Sequence, residues 1–226
     1  MGLTTWSARR LYCVTSVLMI QWFGLSSSMA VLLARVFNLV ARAHKNPSIR
    51  GSYRTTITVN AVREALATYL PAFTLFDKGK PRHPSTWAAE LSVEQEIWRN
   101  LGIILIDRHL LNVSPFDQNM RTNINLMLSL LRSLPTLSTV RKASEGLVLD
   151  WWSSFYTTPA FIVGSLVTDL ADRNFIRKFL KQQGPEKSLE DMLVVLECTW
   201  SETDKTGVVG DWYREMTRLG LLIIFF

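Results

Sequence analysis

The chain has 226 residues, 48% of them hydrophobic and 19% charged, with a formal net charge of +6. That length suffices to bury a substantial core. The modest charged fraction and a mean hydropathy of only +0.13 mark a somewhat apolar chain and exclude a multi-span membrane protein. The basic balance favours nucleic acid or anionic surfaces. The Lys and Arg residues are dispersed, however, and the densest groups, Lys78, Lys80 and Arg82, and Arg141 with Lys142, are short enough to read as solvated faces.

Residues 8–23 read as a helix broken at Gly24. Arg9 and Arg10 precede an apolar stretch over residues 11–25, which gives the N-terminus the outline of a secretory signal peptide. Gln21 and Trp22 late in that stretch argue against it, as does Ser28-Met29-Ala30 as a cleavage site. The apolar pattern also runs on through Met29, Leu32, Leu33, Val36, Val40 and Ala43 at helical spacing. Residues 27–45 are therefore predicted as a second amphipathic helix, ended by Asn46-Pro47. Residues 55–59 are the best strand candidate, and residues 59–76 read as a helix interrupted or kinked at Pro71. "DKGKPRHPS", residues 77–85, is a loop.

The strongest helix is predicted to start at Ser92 as N-cap, with Glu94, Gln95 and Glu96 in its first turn. Ile97, Leu101, Ile104, Leu105 and Leu111 form its apolar face, and "NVSPF" stops it. Asn112-Val113-Ser114 is a glycosylation triplet that matters only in a secreted chain, whereas proline excludes Asn46-Pro47-Ser48. Met120, Ile124, Met127, Leu128, Leu131 and Leu134 make the next stripe, ended by Pro135. Residues 140–153 and 155–170 follow as apolar-rich pieces around Pro159, then a shorter helix over residues 172–183. Leu189, Met192, Leu193, Leu196 and Trp200 form a last clean stripe. The apolar run at residues 219–226 is far below the roughly 18 residues of a membrane span. With no sustained period-two alternation, the prediction is an all-α fold, a single helical domain of about nine or ten helices.

Chemistry-bearing patterns are missing. No phosphate-binding glycine loop, dinucleotide fingerprint, zinc-protease helix or nucleophile elbow occurs. Glu94 with Glu96, and Glu190 with Asp191, are read as falling at helix starts, where the macrodipole explains them. Cys13 and Cys198 cannot build a disulfide framework, and a zinc site needs about four ligands. His44, His83 and His109 are far apart in sequence and lack i, i+4 spacing. No catalytic, cofactor-binding or metal-binding residue is assigned, and no cofactor is expected. This cysteine usage fits a reducing compartment such as cytosol or nucleus. The densest aromatic cluster, Trp151-Trp152 with Phe155 and Tyr156, has no Arg or Lys beside it and reads as core or as the lining of an apolar pocket.

The order of the pieces resembles the regulatory domain of fungal-specific transcription factors, found downstream of a binuclear zinc cluster. "EIWRNLGIILIDRHLLNVSP" is similar to its aromatic-Arg helix and following loop. "TTPAFIVGSLVTDLADRNFIRKFL" is similar to its signature segment, a proline, a small-residue apolar helix, then an Asp-Arg pair opening a basic helix. "MLVVLECTWSETD" and "DWYREMTRLG" resemble its closing segments, and "WFGLSSSMAVLLARVFNLV" its early helix pair. The resemblance covers roughly residues 22–220. It departs in carrying Gly164-Ser165-Leu166 where the family has a small residue or Cys after the glycine, and in lacking the six-cysteine cluster.

The resemblance implies a domain at residues 24–226 preceded by a loosely packed helix at residues 1–23. The tail is then a clasp, with Trp200 and Trp212 packed inward and residues 221–226 closing the end. It further implies no enzyme activity and no sequence-specific DNA binding by this chain alone. The expected role is transcription regulation in the nucleus, or cytosol, through a protein partner (a related transcription factor or co-regulator) or a small apolar ligand, without stable membrane insertion. The competing reading is a secreted or membrane-associated helical protein with a signal-like N-terminus; a helical small-molecule enzyme is a third, supported by no constellation of residues.

Overall fold

A computed structural model of the chain describes residues 27–46, 53–69, 84–145, 156–183 and 187–221. Among them are eight helices and no strand. The helices are α1 (Ser27–Lys45), α2 (Tyr53–Ala67), α3 (Pro84–His109), α4 (Gln118–Glu145), α5 (Thr157–Gly164), α6 (Leu170–Lys181), α7 (Lys187–Thr206) and α8 (Trp212–Arg218). The all-α class follows the periodicity; the described helices number eight, against the nine or ten expected. The helix expected over residues 8–23 lies outside the described residues. Contacts divide the chain into two units, Met1–Val113 and Ser114–Phe226.

In the first unit α1, α2 and α3 touch one another pairwise. On α1, Met29, Leu33, Val36, Val40 and Ala43 recur at steps of three and four, and all are buried. The strand candidate at residues 55–59 is helical instead. Its β-branched run would suit a sheet, but Val59, Val62 and Leu66 bury one stripe at helical spacing, and that packing overrides local preference. The helix closes at Ala67, before Pro71; residues 70–76 of the predicted stretch lie outside the described residues.

Helix α3 opens at Pro84, well before Ser92. Proline suits the first helical position because its missing N–H would have had no intrahelical acceptor there. Ser92 is thus an exposed interior residue rather than a cap, and Glu94 and Gln95 are buried rather than in a first turn. Ile97, Leu101, Ile104 and Leu105 are buried as expected. Leu111, expected on the same face, lies past the helix end and is 37% exposed. The stop is made by Asn112 at φ 55 and by the Val113 N–H, which donates to the Asp107 carbonyl at 2.8 Å.

A buried carboxylate links α3 to α2. Arg63 donates from Nε to Asp107 Oδ1 at 2.6 Å and from Nη2 to Oδ2 at 3.1 Å. The hydrogen bond to Asp107 raises the Arg63 pKa against the lowering effect of burial. His44 and His109, far apart in sequence, bring their rings to 5.0 Å.

In the second unit α4 touches α5, α5 touches α6 and α7, α6 touches α7, and α8 packs on α7. Asp117 caps α4, its Oδ1 accepting from the Asn119 N–H at 2.9 Å and the Met120 N–H at 3.3 Å. Met120, Ile124, Met127, Leu128 and Leu131 form the buried stripe. The helix does not end at Pro135 but runs through it to Glu145. An interior proline removes one ladder bond and crowds the preceding turn, and here the long helix absorbs that cost.

Candidate functional site

The segments singled out in the C-terminal half assemble in one place. "TTPAFIVGSLVTDLADRNFIRKFL" is α5, a short turn and α6; "MLVVLECTWSETD" is the body of α7; "DWYREMTRLG" is α8 with its flanks. Every residue of α5 is buried. Pro159 stands in its first turn, where a backbone donor is dispensable. Gly164 closes the helix, and a Cβ there would lie 2.8 Å from Ile176 Cγ2, so α6 can approach only because the side chain is absent. Ser165 is buried and satisfies its hydroxyl by donating to the Ile162 carbonyl at 2.7 Å.

Trp200 is the centre of this arrangement. It is 2% exposed, and its indole N–H donates to the Gly164 carbonyl at 2.8 Å, an acceptor left open by the end of α5. The guanidinium groups of Arg173 and Arg177 lie over the indole, 5.6 Å and 4.9 Å from the ring centroid. Arg173 also grips Asp204 with two bonds of 2.8 Å, and Arg177 pairs with Glu197. Asp169 caps α6 by accepting from the Ala171 N–H at 2.8 Å. Asp172 receives Arg132 of α4 at 2.5 Å. The Asp-Arg pair of the signature therefore ties α6 to α4 with its acid and to α7 with its base.

Helix α8 completes the unit. Asp211 caps it by accepting from the Tyr213 N–H at 2.9 Å, and Trp212 meets Phe161 of α5 edge to face at 5.4 Å. Both tryptophans pack inward, as the clasp reading expected. Residues 222–226 and the cluster Trp151-Trp152-Phe155 lie outside the described residues; Tyr156 of that cluster is buried at the start of α5.

The arrangement is a set of interlocked structural contacts. Compared with known families, the chain matches the fungal specific transcription factor domain over residues 8–226. The chain belongs to this family. Curated proteins and solved structures gave no match. The fungal transcription factor domain is a regulatory family rather than an enzyme family. Among the described residues no group of three or more His, Cys, Asp and Glu is placed to hold a metal ion, and no helix is long and apolar enough to cross a membrane.

Between α7 and α8 this fungal domain has an open groove of about 670 Å³, lined by Cys198, Glu202, Arg214, Glu215 and Arg218 among others. Its charges are largely matched internally. Arg214 pairs with Glu202, and buried Glu215 sits between Arg214 at 3.7 Å and Arg218 at 2.8 Å. The groove and the histidine pair of the first unit were not legible in the sequence, because both depend on which helices meet.

Gly210 shows how tightly the α7–α8 connection is drawn. Its N–H donates to Thr203 Oγ1 at 3.0 Å, and a Cβ would stand 2.8 Å from the Thr199 carbonyl oxygen. A backbone atom cannot swing aside. Gly210→Ala is expected to cost about 1–3 kcal/mol in urea denaturation; an unchanged midpoint would show the connection to be looser than this.

Three carboxylates give the domain an acid-side dependence. Burial pushes Glu96 up, but hydrogen bonds from Arg99 and Asn100 outweigh it and hold the group below its ordinary 4.5. The Arg214 hydrogen bond holds Glu202 below 4.5, and the Arg173 hydrogen bond holds Asp204 below 3.8. In each case the unfolded chain takes up its proton at a higher pH than the folded one. The stabilisation is therefore complete above the ordinary values and lost as pH falls through the folded ones. Thermal midpoints should drop below about pH 4, and less steeply in Glu96→Gln. A drop of equal steepness in that variant would remove Glu96 from the account.

Proposed function

We propose that this chain is the regulatory domain of a fungal transcription factor, acting in the nucleus through a protein partner. In this reading residues 24–226 form the domain, preceded by a helix at residues 1–23. The observation that carries the regulatory role is the family match over residues 8–226. The preference for a protein over a small apolar ligand is supported by the signature core. The interior around α5 is occupied by the chain's own side chains, from Phe161 to Ile176, Leu196 and Trp200, all buried. Regulation then works through surfaces rather than through an interior site.

Deleting the gene and comparing transcript levels with the parent strain tests the role. A reproducible set of transcripts that changes, and returns when the chain is re-expressed, is the expected result. A transcript profile indistinguishable from the parent's contradicts the proposal.

A further inference from the structure

The described arginines of this protein are mostly in ion pairs: Arg63, Arg99, Arg132, Arg173, Arg177, Arg214 and Arg218 each hold a carboxylate. Helix α1 breaks the habit. Arg35, Arg42 and Lys45 are all exposed, among the described residues none of them is in an ion pair, and α1 contains no acidic residue. They are not scattered. With Val31, 45% exposed, and exposed Asn38 they occupy positions 31, 35, 38, 42 and 45, steps of four and three that keep them on one face. The face runs for roughly 21 Å along the helix at 1.5 Å per residue.

The positive charge of the chain is concentrated in the part of the sequence that contains this helix. Residues 1–113 hold thirteen Lys and Arg against six Asp and Glu, a balance of +7; residues 114–226 hold twelve against thirteen, a balance of −1. The first fifty residues contain six basic side chains and no acidic one. The whole positive excess of the protein therefore lies in the unit that presents this face. Like charges left unmatched along one helix repel and cost folding free energy, a cost that a complementary partner removes.

We infer that the outer face of α1 docks an acidic amphipathic helix of a partner protein. The spacing favours a helix. Steps of four and three are the register in which a second helix lies alongside, with carboxylates at matching steps meeting Arg35, Arg42 and Lys45. Val31 offers an apolar contact and Asn38 a polar one inside the same seam, neither of which a phosphate backbone requires. Three cations over that length also supply little of the phosphate neutralisation on which nucleic-acid affinity rests. This deepens the partner reading above and rests on it. Its test is binding in solution, so its failure leaves the transcript comparison standing.

The probe is a synthetic helical peptide of about 18 residues with Glu at steps of four and three and Ala and Leu elsewhere. Its binding to the purified full chain is followed by fluorescence anisotropy at low and moderate salt. A peptide of the same composition in scrambled order is the control. The register peptide should bind at least about tenfold more tightly than the scrambled one, more weakly as salt rises. Arg35→Gln/Arg42→Gln/Lys45→Gln should lose at least about tenfold with an unchanged circular dichroism spectrum. Arg121→Gln/Lys178→Gln, which removes exposed cations elsewhere, should bind as the parent does. Should the triple variant fold poorly, Arg42→Glu tested against a peptide with one facing Glu replaced by Lys carries the same test, with recovery expected. Equal binding of the scrambled peptide, no binding of either, or tighter binding of duplex DNA dependent on the same three residues would each overturn the inference.

Discussion

Trp200→Ala is expected to destabilise the protein by about 3–5 kcal/mol, the range for truncating a fully buried aromatic residue. The residue is 2% exposed. Its removal opens a cavity between α5, α6 and α7, leaves the Gly164 carbonyl without the indole N–H it accepts at 2.8 Å, and takes the ring from beneath Arg173 and Arg177. Trp200→Phe separates these contributions. It keeps most of the packing but not the hydrogen bond, and should cost about 1–3 kcal/mol, the penalty for a buried acceptor left unsatisfied. Urea denaturation of the three proteins checks the order. If alanine and phenylalanine cost the same, packing on the ring is not what joins these helices.

Removing Arg63 is the second large effect, and it comes from the opposite end of the chain. The Asp107 side chain is only 4% exposed, whereas Arg63 is 40% exposed. Arg63→Met strands a buried carboxylate, which costs about 3–5 kcal/mol in a closed interior; the partial exposure of the pair lowers that to about 2–4 kcal/mol here. Arg63→Met/Asp107→Leu removes both charges at similar volume and should recover most of the loss, because a buried ion pair contributes little net stability over a well-packed apolar one. A double variant no better than Arg63→Met would mean that the stranded charge is not the cause.

Much of this architecture was legible from spacing alone, and the exceptions have physical reasons. The boundaries of α1 were readable because its apolar stripe is narrow, its outer face is polar and Asn46-Pro47 follows it. The start of α3 was not. The helix is buried on nearly every side from Glu94 to Asp107, so polar residues at its centre imitate the polar first turn of a helix beginning at Ser92. Pro84 ahead of Ala88 and Ala89 was the available signal, and it reads as loop only when proline is taken as a breaker rather than as a first-turn residue. Pro135 is the reverse case, a breaker that a long helix tolerates. Residues 55–59 show local β preference losing to the burial of Val59, Val62 and Leu66. Within the second unit, the resemblance to the fungal domain placed Trp200 and Trp212 inward, but it did not give the hydrogen bond to Gly164 or the two arginines over the indole. Such contacts require knowing which carbonyl a helix end exposes and which neighbouring helix covers it. The basic face of α1 was missed because charge was weighed over the whole chain and not by helix face.

The central claim is that this fungal domain regulates transcription, and a tethering assay tests it most directly. The chain is joined to an unrelated DNA-binding module and directed to a reporter promoter in fungal cells, beside the module alone and a fusion carrying Trp200→Ala. A reproducible rise or fall in reporter transcript with the parent fusion, lost when Trp200→Ala disrupts the signature core at comparable protein levels, is the predicted result. Reporter output equal to that of the module alone, from a fusion shown to be folded and bound at the promoter, would contradict it.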